Sequence, residues 1–299
     1  MPSVSMRTID HIVIRVPDGR LTEATEQFEQ LGFQVIPGGK HTDGLTANVL
    51  VILSDLSYIE IIAFEHPPEY YKEGTPPRIL RDSHQWANKP AGGLVAYAFA
   101  GAPSAEPGLA QIINGRLEEA GSDYRYQDPV RGGRTRPDGT KMQWELVKPK
   151  AWEKQVDGMG RPFFCGDITE REIRVPTDPK LHDHPNKTTS VAFLRVLVPR
   201  SAFAEKSSQL DAILGVQHKV GPISEWHEWE LLSTVAGKGS AAPRLILTVP
   251  DEGDQKELDF VERYGMGVWG IGFLYEKQAQ QAEVQGVDAL PFISWVPAA

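Results

Sequence analysis

A short succession of strands around one helix recurs along this 299-residue chain, and the recurrence constrains the fold more than any other feature. The unit begins with IDHIVIRV from Ile9, where apolar residues alternate with the period of two that is typical of a strand with one buried face. Helically spaced apolar residues between Leu21 and Leu31 then predict an amphipathic helix that stops at Gly32, with Asp18 as its N-terminal cap. The strand patterns FQVIP, ANVLVIL and SYIEIIAF complete a β-α-β-β-β unit.

The unit is repeated three more times with decreasing regularity. The second repeat opens with GGLVAYAFA and closes with PFFCGDI, and the third opens with SVAFLRVLV after a polar segment that contains two prolines. The fourth is shortened to GVWGIGFLYE, a polar helix and ALPFISWV. Because a single hydrophobic core stops growing near this length, we predict an α+β protein with two modules in each of two domains, residues 1–177 and 190–299, joined by a linker at 178–189.

Composition and charge limit the class of function. With 31 Lys and Arg against 40 Asp and Glu, the chain has a formal net charge of -9 and lacks the basic surface that nucleic-acid binding requires. No stretch approaches the roughly 20 apolar residues of a membrane span, and the N-terminus has no secretory pattern, so we expect a cytoplasmic protein without a membrane partner. The single cysteine, Cys165, excludes an intrachain disulfide and a thiolate zinc cluster. A bound metal would therefore need His and carboxylate ligands.

Two strands of the first unit carry polar side chains on the face opposite their apolar residues. On the first strand His11 shares a face with Ile9 and lies opposite Ile12, and on the fourth strand Glu60 lies opposite Ile59. An imidazole nitrogen and a carboxylate oxygen brought together in this way form a donor pair suited to Zn, Fe, Mn, Co or Ni. The alternative is that the two side chains hydrogen-bond each other, because a buried charge needs a partner.

Four segments resemble the glyoxalase-like domains of the vicinal oxygen chelate superfamily: IDHIVIRVPD, LGFQVIPGGKHTDGLTANVL, SYIEIIAF and GGRTRPDGTKMQW. The resemblance is strongest over residues 9 to about 168. It implies paired modules that wrap curved, half-barrel sheets around a cleft, with a divalent metal in the cleft that chelates a small substrate through neighbouring oxygens. It also implies that His11 and Glu60 are metal ligands, since the family's ligands lie on the first and last strands of paired modules.

The second module does not supply the ligands that the resemblance implies. Its first and last strands offer only Leu94, Val95, Tyr97, Cys165 and Asp167. The best substitute is His41, which lies in the glycine-rich segment GGKHTDGLTAN and could reach the cleft beside Asn48. The alternative for His41 is an exposed loop position.

Further residues are candidates for substrate binding. Arg134 and Arg136 share a strand face before a predicted hairpin at Pro137, and their guanidinium groups suit an acidic substrate, although solvated charge beside a turn is the alternative. The remaining candidates are Asn48, Tyr58, Trp144 and Cys165. For Trp144 the alternative is ordinary core packing, and for Cys165 it is an inert buried thiol.

Three functions are compatible with these features. The first is a metal-assisted lyase or isomerase in which Glu60 or His41 moves a proton on a small carbonyl, enediolate or diol compound. The second is a metal-free protein that sequesters a small molecule, as bleomycin-resistance members of the superfamily do. The third is an extradiol-type dioxygenase, which is disfavoured because SVAFLRVLV and GVWGIGFLYE contain no histidine. In each case we expect a small-molecule partner and a monomer or homodimer.

Overall fold

A computed structural model describes residues 6–103, 106–135, 139–150, 157–233, 242–276 and 292–298. The strands of the first sheet are β1 (Ile9–Arg15), β2 (Ile36–Lys40), β3 (Thr46–Ile52), β4 (Tyr58–Phe64), β5 (Gly93–Ala100), β6 (Val130–Thr135), β7 (Lys141–Val147) and β8 (Phe163–Asp167). The strands of the second sheet are β9 (Thr188–Leu197), β10 (Lys219–Val220), β11 (Trp226–Glu230), β12 (Arg244–Thr248), β13 (Gly267–Tyr275) and β14 (Ile293–Pro297). The helices are α1 (Leu21–Gln30), α2 (Pro76–Asp82), α3 (Leu109–Glu119), α4 (Arg171–Arg174), α5 (Phe203–Leu214) and α6 (Gln255–Tyr264).

The strand pairing confirms the predicted tandem modules. The sheets have the orders β2-β3-β4-β1-β5-β8-β7-β6 and β10-β11-β12-β9-β13-β14. In each module the first and last strands pair in parallel, as β1 with β4, β5 with β8, β9 with β12 and β13 with β14. The first strands of two successive modules pair antiparallel, as β1 with β5 and β9 with β13. The α+β class with paired modules is therefore as predicted.

The first sheet is strongly curled. Strands β3 and β6 are six positions apart in the sheet order, which would separate them by about 29 Å in a flat sheet. Arg134 of β6 nevertheless donates from Nη1 to Oδ1 of Asn48 on β3 at 3.4 Å. The two ends of the sheet consequently approach each other around an enclosed concave face.

One continuous apolar core lies between the two sheets. It contains Ile12 of β1 and Val196 of β9 together with Phe28, Ile113 and Ile213 from the helices α1, α3 and α5. Each such side chain, when fully buried, stabilises the fold by about 1.5–3 kcal/mol. Because this core covers the convex face of the first sheet, the concave face is left to form a cavity.

A β-bulge on β1 corrects the prediction for which residues share a face. The pairing of β1 with β5 shifts register between Ile9 and His11, so Asp10 is an extra residue on this strand. Simple alternation predicts that Ile9 lies on the same face as His11. In the structure Ile9 instead lies in the same core as Ile12. Asp10 turns to the side of His11 and accepts a hydrogen bond from its Nδ1 at 2.5 Å.

Several local details differ from the sequence prediction. The residue before α1 is Arg20, which makes no side-chain cap, and Asp18 instead accepts hydrogen bonds from Arg15 and Arg81. Gly32 ends this helix as predicted, with φ of +80°. The short helices α2 and α4 and the helix α6 are not predicted, and the polar helix expected near 277–285 falls outside the described residues. None of the described helices is both long enough and apolar enough to span a bilayer.

Candidate functional site

The concave face of the first sheet encloses a cavity of about 240 Å³. This volume lies just below the range of about 300–1,000 Å³ that is common for small-molecule sites. The cavity wall includes most of the predicted site residues, namely His11, His41, Asn48, Tyr58, Glu60, Arg134, Trp144 and Cys165. Arg136 falls outside the described residues. The structure thus brings residues from six strands and one loop to a single cavity.

Strand alternation directs Glu60 into this cavity. On β4 Tyr58 and Glu60 line the cavity, whereas Ile59 and Ile61 pack in the core between the sheets. The parallel pairing of β4 with β1 then places Tyr58 beside His11. The rings of these two residues stack with their centroids 4.9 Å apart. His11 and Glu60 therefore face the same space, as the sequence predicts.

The Glu60 carboxylate lies between two imidazoles. Its Oε2 is 3.9 Å from Nε2 of His11, and its Oε1 is 3.6 Å from Nε2 of His41. Both distances are too long for a hydrogen bond, so the alternative in which His11 and Glu60 bond each other does not hold. Asn48 makes the direct contact, donating from Nδ2 to Oε1 at 2.6 Å.

The ligand types of this donor set suit a divalent metal. Metal–ligand bonds of about 2.1 Å at roughly tetrahedral or octahedral angles separate two donor atoms by about 3.0–3.4 Å. The spacings of 3.9 Å and 3.6 Å around Glu60 come within several tenths of an ångström of that separation. Two imidazole nitrogens and one carboxylate are also the ligand types that zinc, iron, manganese, cobalt and nickel accept.

His41 reaches the cavity from the turn between β2 and β3. Its Nδ1 lies 2.8 Å from Oγ1 of Thr46, the first residue of β3, which holds the ring on the cavity side. The side chain retains a relative exposure of 25%. His41 is thus a half-open residue at the cavity wall, with its Nε2 directed towards Glu60.

The second module contributes no ligand from its first strand. Leu94 and Tyr97 pack in the core between the sheets, which corrects their place among the candidate positions. The residue of β5 that pairs with His11 is Ala98, and its other neighbour is Phe163 of β8. Because the alanine is small, the rings of His11 and Phe163 meet across it at 5.2 Å. An aromatic contact therefore fills the space beside His11 on the side of the second module.

A second cluster of donor atoms is less suited to a metal. Atoms of Asp10, His11 and Cys165 lie within 4.8 Å of one another. Burial raises the pKa of the Cys165 thiol above its ordinary value, which disfavours the thiolate that a metal requires. Both carboxylate oxygens of Asp10 are already bonded, to His11 and to the guanidinium groups of Arg171 and Arg174.

Comparison with known families decides the classification. The sequence pattern described as glyoxalase-like domain matches residues 9–211. This chain belongs to the glyoxalase-like domain family. Its place in the vicinal oxygen chelate superfamily, which the sequence resemblance implies, is thereby confirmed. No curated protein sequence matches this glyoxalase-like chain.

Solved structures agree on the fold of the glyoxalase-like chain. A hypothetical protein from Staphylococcus aureus has a TM-score of 0.62 at 12% identity, covering 97% of this chain and 99% of that chain. A 4-hydroxymandelate synthase mutant from Streptomyces coelicolor has a TM-score of 0.47 at 14% identity, covering 90% of this chain and 72% of that chain. A 2,2',3-trihydroxybiphenyl 1,2-dioxygenase from Sphingomonas wittichii has a TM-score of 0.43 at 14% identity, covering 91% and 74%. The first of these likenesses establishes the fold, and none establishes an activity.

The mouth of the glyoxalase-like cavity is formed by residues that the sequence does not predict. The segment between the two modules supplies His84, Gln85 and Trp86 to the cavity wall. His84 bonds Asp43 at 3.0 Å, and Gln85 accepts a hydrogen bond from Nζ of Lys148 at 3.2 Å. This segment has no strand or helix periodicity around these residues, so only its folding over the sheet reveals their position.

Proposed function

We propose that this chain is a metal-dependent enzyme of the lyase or isomerase type, acting on a small oxygenated metabolite such as a carbonyl, enediolate or diol compound. The observation that carries the proposal is the Glu60 carboxylate, which lies within 4 Å of two imidazoles that do not hydrogen-bond it. A carboxylate on the wall of a concave cavity, beside two imidazoles, is typical of a binding or catalytic site.

His11, Glu60 and His41 would hold the divalent metal, which is zinc, iron, manganese, cobalt or nickel. When bound, the ion would supply Lewis acidity that polarises a carbonyl oxygen or stabilises an enediolate. Asn48 fixes the Glu60 carboxylate by donating to Oε1, which leaves Oε2 on the side of His11. The chain therefore holds the carboxylate in one orientation before any ligand binds.

Proton transfer is assigned to Glu60 and His41. The Nε2 of His41 is 3.6 Å from Oε1 of Glu60, so the two groups are close enough to act on the same substrate atom or to exchange a proton after a small movement. Thr46 holds the other ring nitrogen of His41 and thus orients the reactive one. His41 is therefore the residue whose two roles, ligand and proton carrier, need separate tests.

The cavity wall suits a small acid with an apolar part. Arg134 enters from β6 and contacts Asn48, so its guanidinium is close to the proposed metal ligands. Phe163 and Trp144 also line the cavity. An anionic oxygen at Arg134 and an aliphatic or aromatic group against Trp144 would use both features.

A metal-free binding protein is the second candidate function. It is favoured by the first strand of the second module, which offers only Leu94, Val95 and Tyr97 where the resemblance implies a ligand, and by the aromatic cavity wall. An extradiol-type dioxygenase is less well supported. Its ligands would lie on the second sheet, yet the described strands β9, β12, β13 and β14 carry no His, Cys, Asp or Glu, and Arg195 of β9 is ion-paired with Glu257 of α6.

Metal content of the full chain tests the proposal. The protein is purified without a chelator or a His tag, reconstituted in turn with Zn, Fe, Mn, Co and Ni, and analysed for bound metal. We expect about one ion per chain in the native protein and its loss in His11→Ala and Glu60→Ala, because each removes one donor. His84→Ala is the matched control, since His84 also lines the cavity but bonds Asp43.

Activity separates the remaining alternatives. A His41→Ala variant that keeps its metal but loses turnover of α-oxo acids or diols would assign His41 the role of proton carrier. Loss of the metal in this variant would instead assign it as a ligand. A native protein that takes up none of the five metals would rule out the metal-dependent enzyme and leave the binding protein.

A further inference from the structure

Asp10 lies fully buried behind His11, as part of an ionic network. Its Oδ1 accepts hydrogen bonds from Nδ1 of His11 at 2.5 Å and from Nη1 of Arg174 at 3.0 Å. Its Oδ2 accepts from Nη2 of Arg174 at 2.8 Å and from Nη1 of Arg171 at 2.5 Å. The β-bulge on β1 makes this arrangement possible, because without the extra residue Asp10 would face the apolar core.

The charges in this network balance. Asp10 and Asp167 are the carboxylates, and Arg171 and Arg174 contact both of them. Asp10 accepts three hydrogen bonds from the guanidinium groups of Arg171 and Arg174, which are charged donors without an acceptor atom. Asp10 is thus an ionised carboxylate that only accepts hydrogen bonds. The two arginines neutralise the two carboxylates. Asp10 therefore acts on His11 through the hydrogen bond that it accepts, and not through a net negative charge.

The hydrogen bond from His11 has a direct consequence for the imidazole. A carboxylate that only accepts requires the proton of a neutral imidazole to be on Nδ1, which leaves the lone pair on Nε2. That Nε2 is the atom directed at Glu60. The ring plane is fixed by the same network, since Arg174 also donates to the hydroxyl of Tyr58 at 2.8 Å and the Tyr58 ring stacks on His11.

We propose that Asp10 is a positioning residue, which holds His11 with Nδ1 protonated and Nε2 free to coordinate a metal in the cavity. The inference deepens the proposed function and rests on it for the role of the metal. A carboxylate behind a metal-binding histidine commonly changes metal affinity by about 10- to 100-fold, because it selects the tautomer and orients the ring. Arg171 and Arg174, the first and last residues of α4, hold the carboxylate itself in place.

The first test uses the native protein without metal. Nitrogen NMR of the full chain labelled with ¹⁵N-histidine distinguishes the two ring tautomers, and comparison with His11→Ala assigns the signals of His11. In the neutral form of the ring we expect the proton on Nδ1 and none on Nε2. A neutral His11 with its proton on Nε2 would overturn the inference without any variant having to fold.

The second test compares two substitutions in the same network. Asp10→Asn removes one carboxylate and can present an N–H to His11, so we expect the proton to move to Nε2 and the affinity for Zn²⁺, measured by competition with a chelator, to fall about 10- to 100-fold. Asp167→Asn removes the other carboxylate, which bonds the same two arginines. We expect it to retain the native tautomer and native Zn²⁺ affinity.

The outcomes separate this inference from the proposed function. If both variants weaken Zn²⁺ binding equally, the network acts only through folding and Asp10 has no positioning role. If the native protein binds no metal, the proposed enzyme fails, yet the tautomer of His11 and its change in Asp10→Asn still decide whether Asp10 positions the ring. Unchanged tautomer and unchanged Zn²⁺ affinity in Asp10→Asn would reject the inference.

Discussion

Strand alternation predicts the orientation of some side chains at the cavity but not of others. Glu60 and His11 point into the cavity, as their alternation with apolar core residues predicts, and the sheet preserves this alternation on β4. Asp10 is missed because one inserted residue reverses the side to which it points. A bulge has no reliable signature in a single sequence, since it depends on the partner strand.

Cys165 provides a prediction at the scale of one residue. Burial raises the pKa of its thiol, so the group is a neutral, inaccessible thiol near neutral pH. We expect the native protein to resist alkylation by iodoacetamide at pH 7.5, with labelling followed by mass spectrometry. The same protein in urea should label fully at its single cysteine. Rapid stoichiometric labelling of the folded chain would show that the thiol is open to the cavity.

Among the elements, α2 is fixed to the sheet by one arginine. Arg81 is 2% exposed, donates to Oδ2 of Asp18 at 2.6 Å, and lies 3.3 Å from the ring centroid of Phe64. It anchors the segment between the modules, which continues to His84 and Trp86 at the cavity mouth. Asp18 is the expected cap of α1, but here it links the segment between the modules to the first sheet, through Arg81 and Arg15.

Because Arg81 anchors α2, we expect its removal to destabilise the protein more than removal of Arg78 from the same helix. Arg81→Ala should lower the free energy of unfolding by about 3 kcal/mol, because it breaks a buried ion pair and a ring contact. Arg78→Ala should lower it by less than about 1 kcal/mol, since Arg78 forms an exposed pair with Asp82. Urea unfolding of both variants measures the difference. Equal losses would mean that Arg81 does not anchor the helix.

At the scale of the whole molecule, the segment between the sheets is held by His184. Its Nδ1 accepts a hydrogen bond from the backbone N–H of Gln34 at 3.0 Å, and its Nε2 donates to the carbonyl of Ile52 at 3.0 Å. Both ring nitrogens are therefore occupied by contacts with the first module. Burial lowers the pKa of His184, and so the folded chain keeps this ring neutral.

The same histidine predicts how stability depends on pH. The unfolded chain protonates His184 below about pH 6.5 while the folded chain resists protonation, so the free energy of unfolding decreases as the pH falls through that value. His184→Ala should lose about 2 kcal/mol at pH 7.5 and show a smaller decline between pH 7 and 5. His182→Ala is the control, because that ring makes one bond, to Pro176. A decline of unchanged size in His184→Ala would contradict the assignment.

The sequence by itself determined the modules, their order and the pair of side chains His11 and Glu60. These follow from local periodicity, which the chain carries regardless of its neighbours. Only the tertiary structure decided that Ala98 separates His11 from Phe163, that Arg134 closes the curled sheet onto Asn48, and that the bulge brings Asp10 behind His11. Each of these depends on which strands meet and in what register, and that choice is made by the burial of the whole core.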